Sequence, residues 1–324
     1  MDIDPRLKYA VGAPQSTFGF TDEGAGTGLV SDNLGSDAPG FIAGFGSDGQ
    51  SDQDIQIALT LHYSVLIFSD NQSAAAGAKK LGGIQSSRRT ANQPVTLDGH
   101  SDTQAFWLPT TDTLESFTPS GNFVLYISIV DFAVQQVGLS DLSELTALAM
   151  KTIAAVPPAL KNFRPVSVDH LTSTDADHDG LIGHSLFQAA GPDAGGTIGI
   201  YNQHGALLIS TDPVIDRDLY AQTGTDWVVM NVGRLYRTRD PAAANSLANA
   251  LSTVYRFYQE SESPKNLPEA RCIERKDGVV DVSNGVPRFH CIVAYNRYVA
   301  EVWSEQIIDV HQRISAQYAL LAKQ

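Results

Sequence analysis

The sequence predicts an α+β protein made of two tandem, duplicated units, each a small antiparallel sheet with helices packed on one face. Three observations predict it. The chain has 324 residues, too many for one typical core and suited to two domains of about 150 residues each. Its hydrophobic content is 43%, enough for packed cores, while charged residues make up only 18%. One order of elements, a strand, a helix, a strand pair and a second helix, can be read in both halves. The expected units are residues 1–164 and 165–324, the second opening with a connecting segment at 165–225.

Residues 1–54 are rich in Gly, Ser and Asp, with short apolar islands at Phe18-Gly19-Phe20 and Phe41-Ile42-Ala43. They read as loops and edge strands. Residues 55–68 read as a strand or a bent pair of strands. Ser69 or Asp70 is placed to cap a helix through Ala74, Ala78 and Leu81, which Gly82-Gly83 stops. Residues 84–102 read as loop. Residues 103–109 and 121–132 read as strands with a polar connection between them. Ser140 is placed to cap a helix whose apolar face is Leu142, Leu145, Leu148 or Ala149, Ile153 and Val156. Pro157-Pro158 interrupts it.

In the connecting segment, residues 196–211 carry a hairpin pattern around Gln203-His204-Gly205. Residues 212–224 read as a short capped helix ended by Gly224. Trp227 to Arg237 is rich in Val, Leu and Tyr and reads as a strand. Asp240 then stands at an N-cap and Pro241 at the first helical position. Leu247, Ala250, Leu251, Val254 and Tyr258 follow at helical spacing. Residues 269–275 and 289–303 answer the first strand pair. Ser304 is placed to cap a last helix with Ile307, Val310 or His311, Ile314, Tyr318 and Leu321 on one face.

The net charge is −14, from 36 acids against 22 bases. That argues against a nucleic-acid partner, because phosphate binding needs a basic face. An anionic membrane surface is disfavoured for the same reason. No apolar run is long enough to span a membrane. The N-terminus, MDIDPRLKYA, lacks a basic and then apolar leader pattern; it reads as a mature region behind a start methionine, and a cytoplasmic protein would begin this way too. Cys272 and Cys291 lie in two apolar-alternating segments with turn residues between them. That hairpin-like layout suits a disulfide, which points to an oxidising compartment. The alternative is a pair of buried free thiols in a reducing one.

The sharpest motif is Asp175 to Gly180, DADHDG. Acids at alternate positions curl around a hard cation, Gly permits the sharp turn, and Ile182 fits the apolar position of a calcium loop. Leu186 stands where a bidentate Glu belongs, so the loop departs from the pattern. The expectation is no cofactor, with calcium held by Asp175, Asp177 and Asp179 as the alternative. His178 and His184 flank that loop. An Asx-rich surface turn is the plainer reading. Gly44 to Gly49 matches GxGxxG literally but lacks the strand before and helix after that a dinucleotide needs. No GxSxG or HExxH occurs. Trp227, Tyr236, Tyr255, Tyr258, Tyr295, Tyr298, Trp303 and Tyr318 cluster in the second half, as core or as the lining of a cleft for a hydrophobic ligand.

GIYNQHGALL, LYRTRDPAAANSLANAL, LPEARC and NRYVAEVWSEQIIDVHQRISAQYALLAK resemble a family of unknown function among exported proteins, often lipoproteins, of mycobacteria and related actinobacteria. In the first half GFIAGF, the Ala-rich helix and FRPVSVDHL are also similar. The resemblance is most specific where Arg297-Tyr298-Val299-Ala300 leads into the last helix. It implies an exported, envelope-located protein with a two-unit fold, and no activity. The functional expectation is a non-enzymatic module that binds an envelope protein or a hydrophobic small molecule. The alternatives are a hydrolase with catalytic residues scattered in sequence, and a calcium-stabilised structural protein.

Overall fold

Alternation along the central strands decides the architecture. In the strand Phe123–Asp131, Leu125, Ile127 and Ile129 enter one core while Val124 and Tyr126 enter another. A strand that is apolar on both sides needs a cover on both sides. The computed structural model describes residues 3–9, 18–20, 33–163, 177–186, 199–208, 210, 212–254, 257–277 and 287–323. Two compact units divide between Thr174 and Asp175, later than the expected boundary after residue 164.

Unit 1 contains, in order, β1 (Phe18–Phe20), α1 (Leu34–Asp37), β2 (Phe41–Gln50), a 3₁₀ turn (Ile55–Ile57), β3 (Leu59–Phe68) and α2 (Asn71–Arg88). There follow β4 (Gln93–Val95), β5 (Gln104–Leu108), β6 (Thr113–Ser120), β7 (Phe123–Asp131), α3 (Phe132–Gln136) and α4 (Leu142–Leu160). The seven strands form one antiparallel sheet in the order β1-β2-β3-β7-β6-β5-β4. Asp70 caps α2 by accepting from the Ser73 amide at 2.7 Å. Through Ala74, Ala78 and Leu81, α2 packs on Leu66, Phe106, Phe117 and Tyr126. On the opposite face α4 packs Leu145, Leu148, Ala149 and Ile153 against Leu61, Leu114, Leu125 and Ile127.

Unit 2 begins with a 3₁₀ turn (His178–Gly180), then β8 (Gly199–Asn202), α5 (Gln203–Leu208), α6 (Pro213–Thr223), β9 (Trp227–Met230), β10 (Arg234–Arg237) and α7 (Pro241–Leu251). It ends with β11 (Tyr258–Ser261), β12 (Arg271–Arg275), β13 (Phe289–Tyr295), β14 (Tyr298–Ser304) and α8 (Ile307–Ala322). Its antiparallel sheet has the order β8-β9-β10-β14-β13-β12-β11. That is the unit 1 order strand for strand, with α7 and α8 in the places of α2 and α4. On one face Ala244, Leu247 and Ala248 of α7 meet Tyr236, Ile292 and Val299. On the other, Val310, Ile314 and Leu321 of α8 meet Leu235, Val293, Ala300 and Val302. Cys272 faces Cys291 across β12 and β13 with Cα atoms 4.1 Å apart, and the two are joined in a disulfide.

The helices therefore do not share one face, as the sequence suggested; each sheet carries helices on both. The central strands are apolar on both sides, and a bare face would leave one set of side chains in water. Other local readings change for specific reasons. Gly82-Gly83 does not stop α2, which runs on to Arg88 because Gly82 lets the helix pass close to Gln104 and Phe117. The polar connection after residue 109 contains β6, whose Glu115, Ser116 and Thr118 are buried. Pro157-Pro158 lies inside α4, whose last turn is held by Val156 and Leu160 packing on the core. Asp141, not Ser140, caps α4.

Trp227 to Arg237 is a hairpin turning at 231–233, where a Cβ on Gly233 would come within 2.2 Å of the Glu301 carbonyl oxygen. The expected hairpin at 203–205 is instead the start of α5, where the Asn202 side chain accepts from the Gly205 amide at 2.9 Å. Helix α7 ends at Leu251, where Ser252 and Thr253 both donate back to the Asn249 carbonyl. Tyr258 starts β11. Ser304 does not cap α8; its hydroxyl donates to Asp309 and accepts from the Gln306 amide. The literal GxGxxG is extended backbone of β2 paired to β3, not a phosphate loop.

The adjacent Gly82 and Gly83 of α2 give paired predictions. Helix propensity alone favours Ala over Gly by about 1 kcal/mol. A Cβ on Gly83 meets nothing within 4 Å, so Gly83→Ala raises stability. A Cβ on Gly82 lands 2.7 Å from the Gln104 Cβ, so Gly82→Ala lowers it. Urea melts of the two variants check this; equal shifts would contradict the packing.

Candidate functional site

Each sheet buries a set of polar side chains on the face covered by α2 or α7. In unit 1 the set begins with the cross-strand pair Asp48 and His62. The Nδ1 of His62 lies 2.6 Å from Asp48 Oδ1, and its Nε2 lies 3.1 Å from Ser64 Oγ. The connectivity is that of a nucleophile, base and orienting acid. Ser64, however, is 0% exposed on a strand between β2 and β7. The neighbouring strands enclose that hydroxyl.

The set continues through Tyr126, whose ring centroid is 5.9 Å from that of His62. Glu115 Oε1 accepts from Gln85 Nε2 at 3.1 Å, Arg89 Nη2 at 3.0 Å and the Tyr126 hydroxyl at 3.3 Å. Burial, helped by the Glu115 charge, pushes the Tyr126 hydroxyl well above its ordinary value, so it remains a neutral donor. The last turns of α2 place Gln85 and Arg89 for this role.

In unit 2, counted from the β6–β7 and β13–β14 turns, Glu301 stands where Tyr126 stands, His290 where Glu115 stands and Arg234 where Ser64 stands. Glu301 Oε2 accepts from the Tyr236 hydroxyl at 2.7 Å. Its Oε1 lies 2.7 Å from His290 Nε2, a charge contact in which the ring N–H is not aligned as a hydrogen bond. The His290 ring stacks on Trp303 at 5.0 Å, and the Arg234 guanidinium lies 5.3 Å from the same indole. Burial would raise the Glu301 carboxyl, but His290, Arg234 and Tyr236 together hold it below its ordinary value. Burial lowers Arg234, and the adjacent Tyr236 and Glu301 more than restore it. Burial raises Asp216, against a 2.6 Å hydrogen bond from Ser210. Glu301 and Asp216 each hold a hydrogen bond inside the sheet layer, while the His290 Nε2 has no aligned acceptor.

The acidic turn makes the following contacts among the described residues. Asp177 turns its oxygens to the amides of Ile182 and Gly183, at 2.5 and 3.2 Å. Asp179, with φ of 55°, pairs with Arg237 Nη1 at 2.8 Å. Arg237 also grips Asp226 through Nε and Nη2, each at 2.9 Å. Asp175 lies outside the described residues. The segment is docked as a cover: Leu181, Ile182 and Leu186 join the α8-side core. The buried Gln317 side chain accepts from the Leu186 amide and donates to the His184 carbonyl. Asp179 is thus paired with an arginine of the same unit.

One recess opens at the end of unit 1. It measures 540 Å³ and is lined by Arg6, Lys8, Ile57, Leu59, Asp131 and Ala133, among others. Asp4 fixes its N-terminal wall. Its buried carboxylate accepts from Arg6 Nε at 2.9 Å and from Lys151 Nζ at 2.8 Å. The hydrogen bond from Arg6, more than offsetting burial, holds the Asp4 carboxyl well below the usual range. Around the 3₁₀ turn and α3, which share the hydrogen bond from Gln136 Nε2 to the Gln56 carbonyl, lie the exposed side chains Ile55, Ile57, Val137 and Leu139. No helix among the described residues is long and apolar enough to cross a membrane.

Fold and site together define a two-unit α+β protein in which two sheets of one strand order each enclose a buried polar set. Residues 1–176 match the N-terminal domain of unknown function DUF7373, and residues 176–324 match its C-terminal counterpart. The chain belongs to this family. No curated protein matches it. Among solved structures, the extracellular domain of PknH from Mycobacterium tuberculosis is similar at 12% identity and a TM-score of 0.31, covering 44% of this chain and 82% of that one.

Sequence reasoning missed Glu115, Glu301 and their partners. The available signal was a lone acid inside an apolar strand, Val299-Ala300-Glu301-Val302-Trp303. Two predictions follow from the geometry. Glu301→Gln leaves Arg234 without its carboxylate and lowers stability at pH 7 by about 3–5 kcal/mol. A carboxyl held low stabilises above its unfolded value, about 4.3 for Glu, and loses that contribution as pH falls through the folded value. The variant therefore also flattens the acid limb of stability against pH, checked by urea unfolding from pH 7 to 3; an unchanged midpoint at pH 7 would contradict the pairing. Thermal melts with millimolar calcium and with a chelator coincide; a rise in Tm with calcium would show that the acidic turn does take the ion.

Proposed function

We propose that the chain is a non-enzymatic binding module of the cell envelope, working in an oxidising compartment and using the end of unit 1. The observation that carries this reading is the apolar patch beside the recess. Ile57, Val137 and Leu139 are 51%, 68% and 66% exposed, and Ile55 near them is 39% exposed, whereas the two cores of the unit are built from buried aliphatic and aromatic residues. Apolar side chains gathered beside a recess favour contact with another molecule. The partner is an envelope protein or a hydrophobic small molecule. The Cys272–Cys291 disulfide supports the oxidising compartment. The resemblance to exported actinobacterial proteins and lipoproteins supports the same setting. The common strand order of the two sheets supports an origin by tandem duplication.

One observation favours a second reading. Asp48, His62 and Ser64 have the order and contacts of a hydrolase triad. The burial of Ser64 weighs against it.

The test uses immobilised wild type and the double variant Ile57→Asp with Leu139→Asp, each exposed to the lipid and protein fractions of the producing cell's envelope. The wild type is expected to retain a component that the variant loses by tenfold or more, with unchanged circular dichroism. Equal retention would remove the patch as the site. A serine-directed fluorophosphonate is expected to leave the protein unlabelled. Labelling that disappears in Ser64→Ala would establish the hydrolase instead.

A further inference from the structure

Cys272 and Cys291 face the α8 side of the second sheet, and the first turns of α8 bring His311 to them. A ring nitrogen of His311 and the two sulfurs all lie within 4.8 Å of one another. Two thiolates and an imidazole are the ligand types of a zinc site. His311 is also held in place. Its Nε2 is 2.7 Å from the Glu262 carbonyl oxygen. A carbonyl only accepts, so Nε2 carries a proton and Nδ1 is the nitrogen left to ligate. Metal-binding imidazoles are commonly fixed by such a bond to a backbone carbonyl. His311 is partly exposed while both cysteines are buried, so the histidine side is the route of entry. In the disulfide state neither sulfur is a thiolate, and the site is closed.

We propose that the reduced chain binds one Zn²⁺ through Cys272, Cys291 and His311, with water as the fourth ligand, and that oxidation expels the ion. Reduction by a dithiol breaks the S–S bond, leaves two protein thiols and closes the reductant's own disulfide. Zinc then displaces two protons, one from each thiol. In the reverse direction a small disulfide takes two electrons from the zinc-bound thiolates. The protein S–S bond forms, two small thiolates leave and Zn²⁺ is released. The sulfurs have to part to about 3.8 Å for a tetrahedral ion with Zn–S bonds of about 2.3 Å. Rotation about the two Cα–Cβ bonds supplies that, because directly opposed strand positions hold both Cβ atoms on one face. The same point of the sheet is thus pinned by sulfur in one redox state and by metal in the other. The inference stands on this cluster alone and is independent of the binding reading for unit 1.

The experiment uses the full chain, oxidised or reduced with a water-soluble phosphine under argon, dialysed against Zn²⁺ and analysed for bound metal. One zinc per reduced chain is expected, and none above background in the oxidised chain. Co²⁺ in place of zinc is expected to give a thiolate-to-cobalt charge-transfer band. His311→Ala weakens binding by about 100-fold or more. The proposal is overturned if the reduced chain takes up no more zinc than the oxidised one. It is equally overturned if His311→Ala binds as tightly as wild type, which is the outcome for thiols in an unfolded chain.

Discussion

A strand that is apolar on both sides sets a requirement on everything around it. Leu125 and Ile127 of β7 point away from Val124 and Tyr126, so one helix cannot shelter all four. The same holds for β14, where Ala300 and Val302 oppose Val299. Each sheet therefore needs a helix above and another below, and the connections supply them. The helix after β3 or β10 crosses one face, and the helix after β7 or β14 returns along the other. At roughly 25 cal/mol per Å² of apolar surface, leaving either face bare would cost more than a domain's whole net stability. The strand order is the consequence, and it is the same in both units.

Burying an acid in such a layer is costly unless its partners are fixed. The two units meet that condition in different ways. In unit 1 α2 has 18 residues, and its last turns bring Gln85 and Arg89 over Glu115. In unit 2 α7 has only 11 residues, and the partners come from the sheet itself: Tyr236 and Arg234 on β10 and His290 on β13. Helix length and the source of the charge partners change together. The disulfide adds a covalent tie across β12 and β13, on the face opposite to this polar set.

Much of this was legible in the sequence, and the parts that were not share a cause. Capped helices announced themselves: Asp70, Asp212 with Pro213, and Asp240 with Pro241 all accept the expected backbone amides. Gly224 ends α6 with a φ of 58°, as its position implied. The Cys pair was readable because its two segments alternate. Glycine was misread at Gly82 because close helix–sheet approach and helix termination use the same residue. Strand β6 was missed because Glu115, Ser116 and Thr118 look like a solvated connection until their tertiary partners are known. Identical reasoning hid Glu301. The acidic turn was legible only in part, since spacing alone does not reveal that Arg237 pairs with Asp179.

Each half owns a complete, two-faced core. The four core clusters agree, each drawing its residues from one unit alone. Separate expression of residues 1–174 and 175–324, followed by urea unfolding monitored by circular dichroism and fluorescence, tests it most directly. Each half is expected to show a single cooperative transition, with the two probes coinciding. A half that is soluble yet unfolds without cooperativity would contradict it.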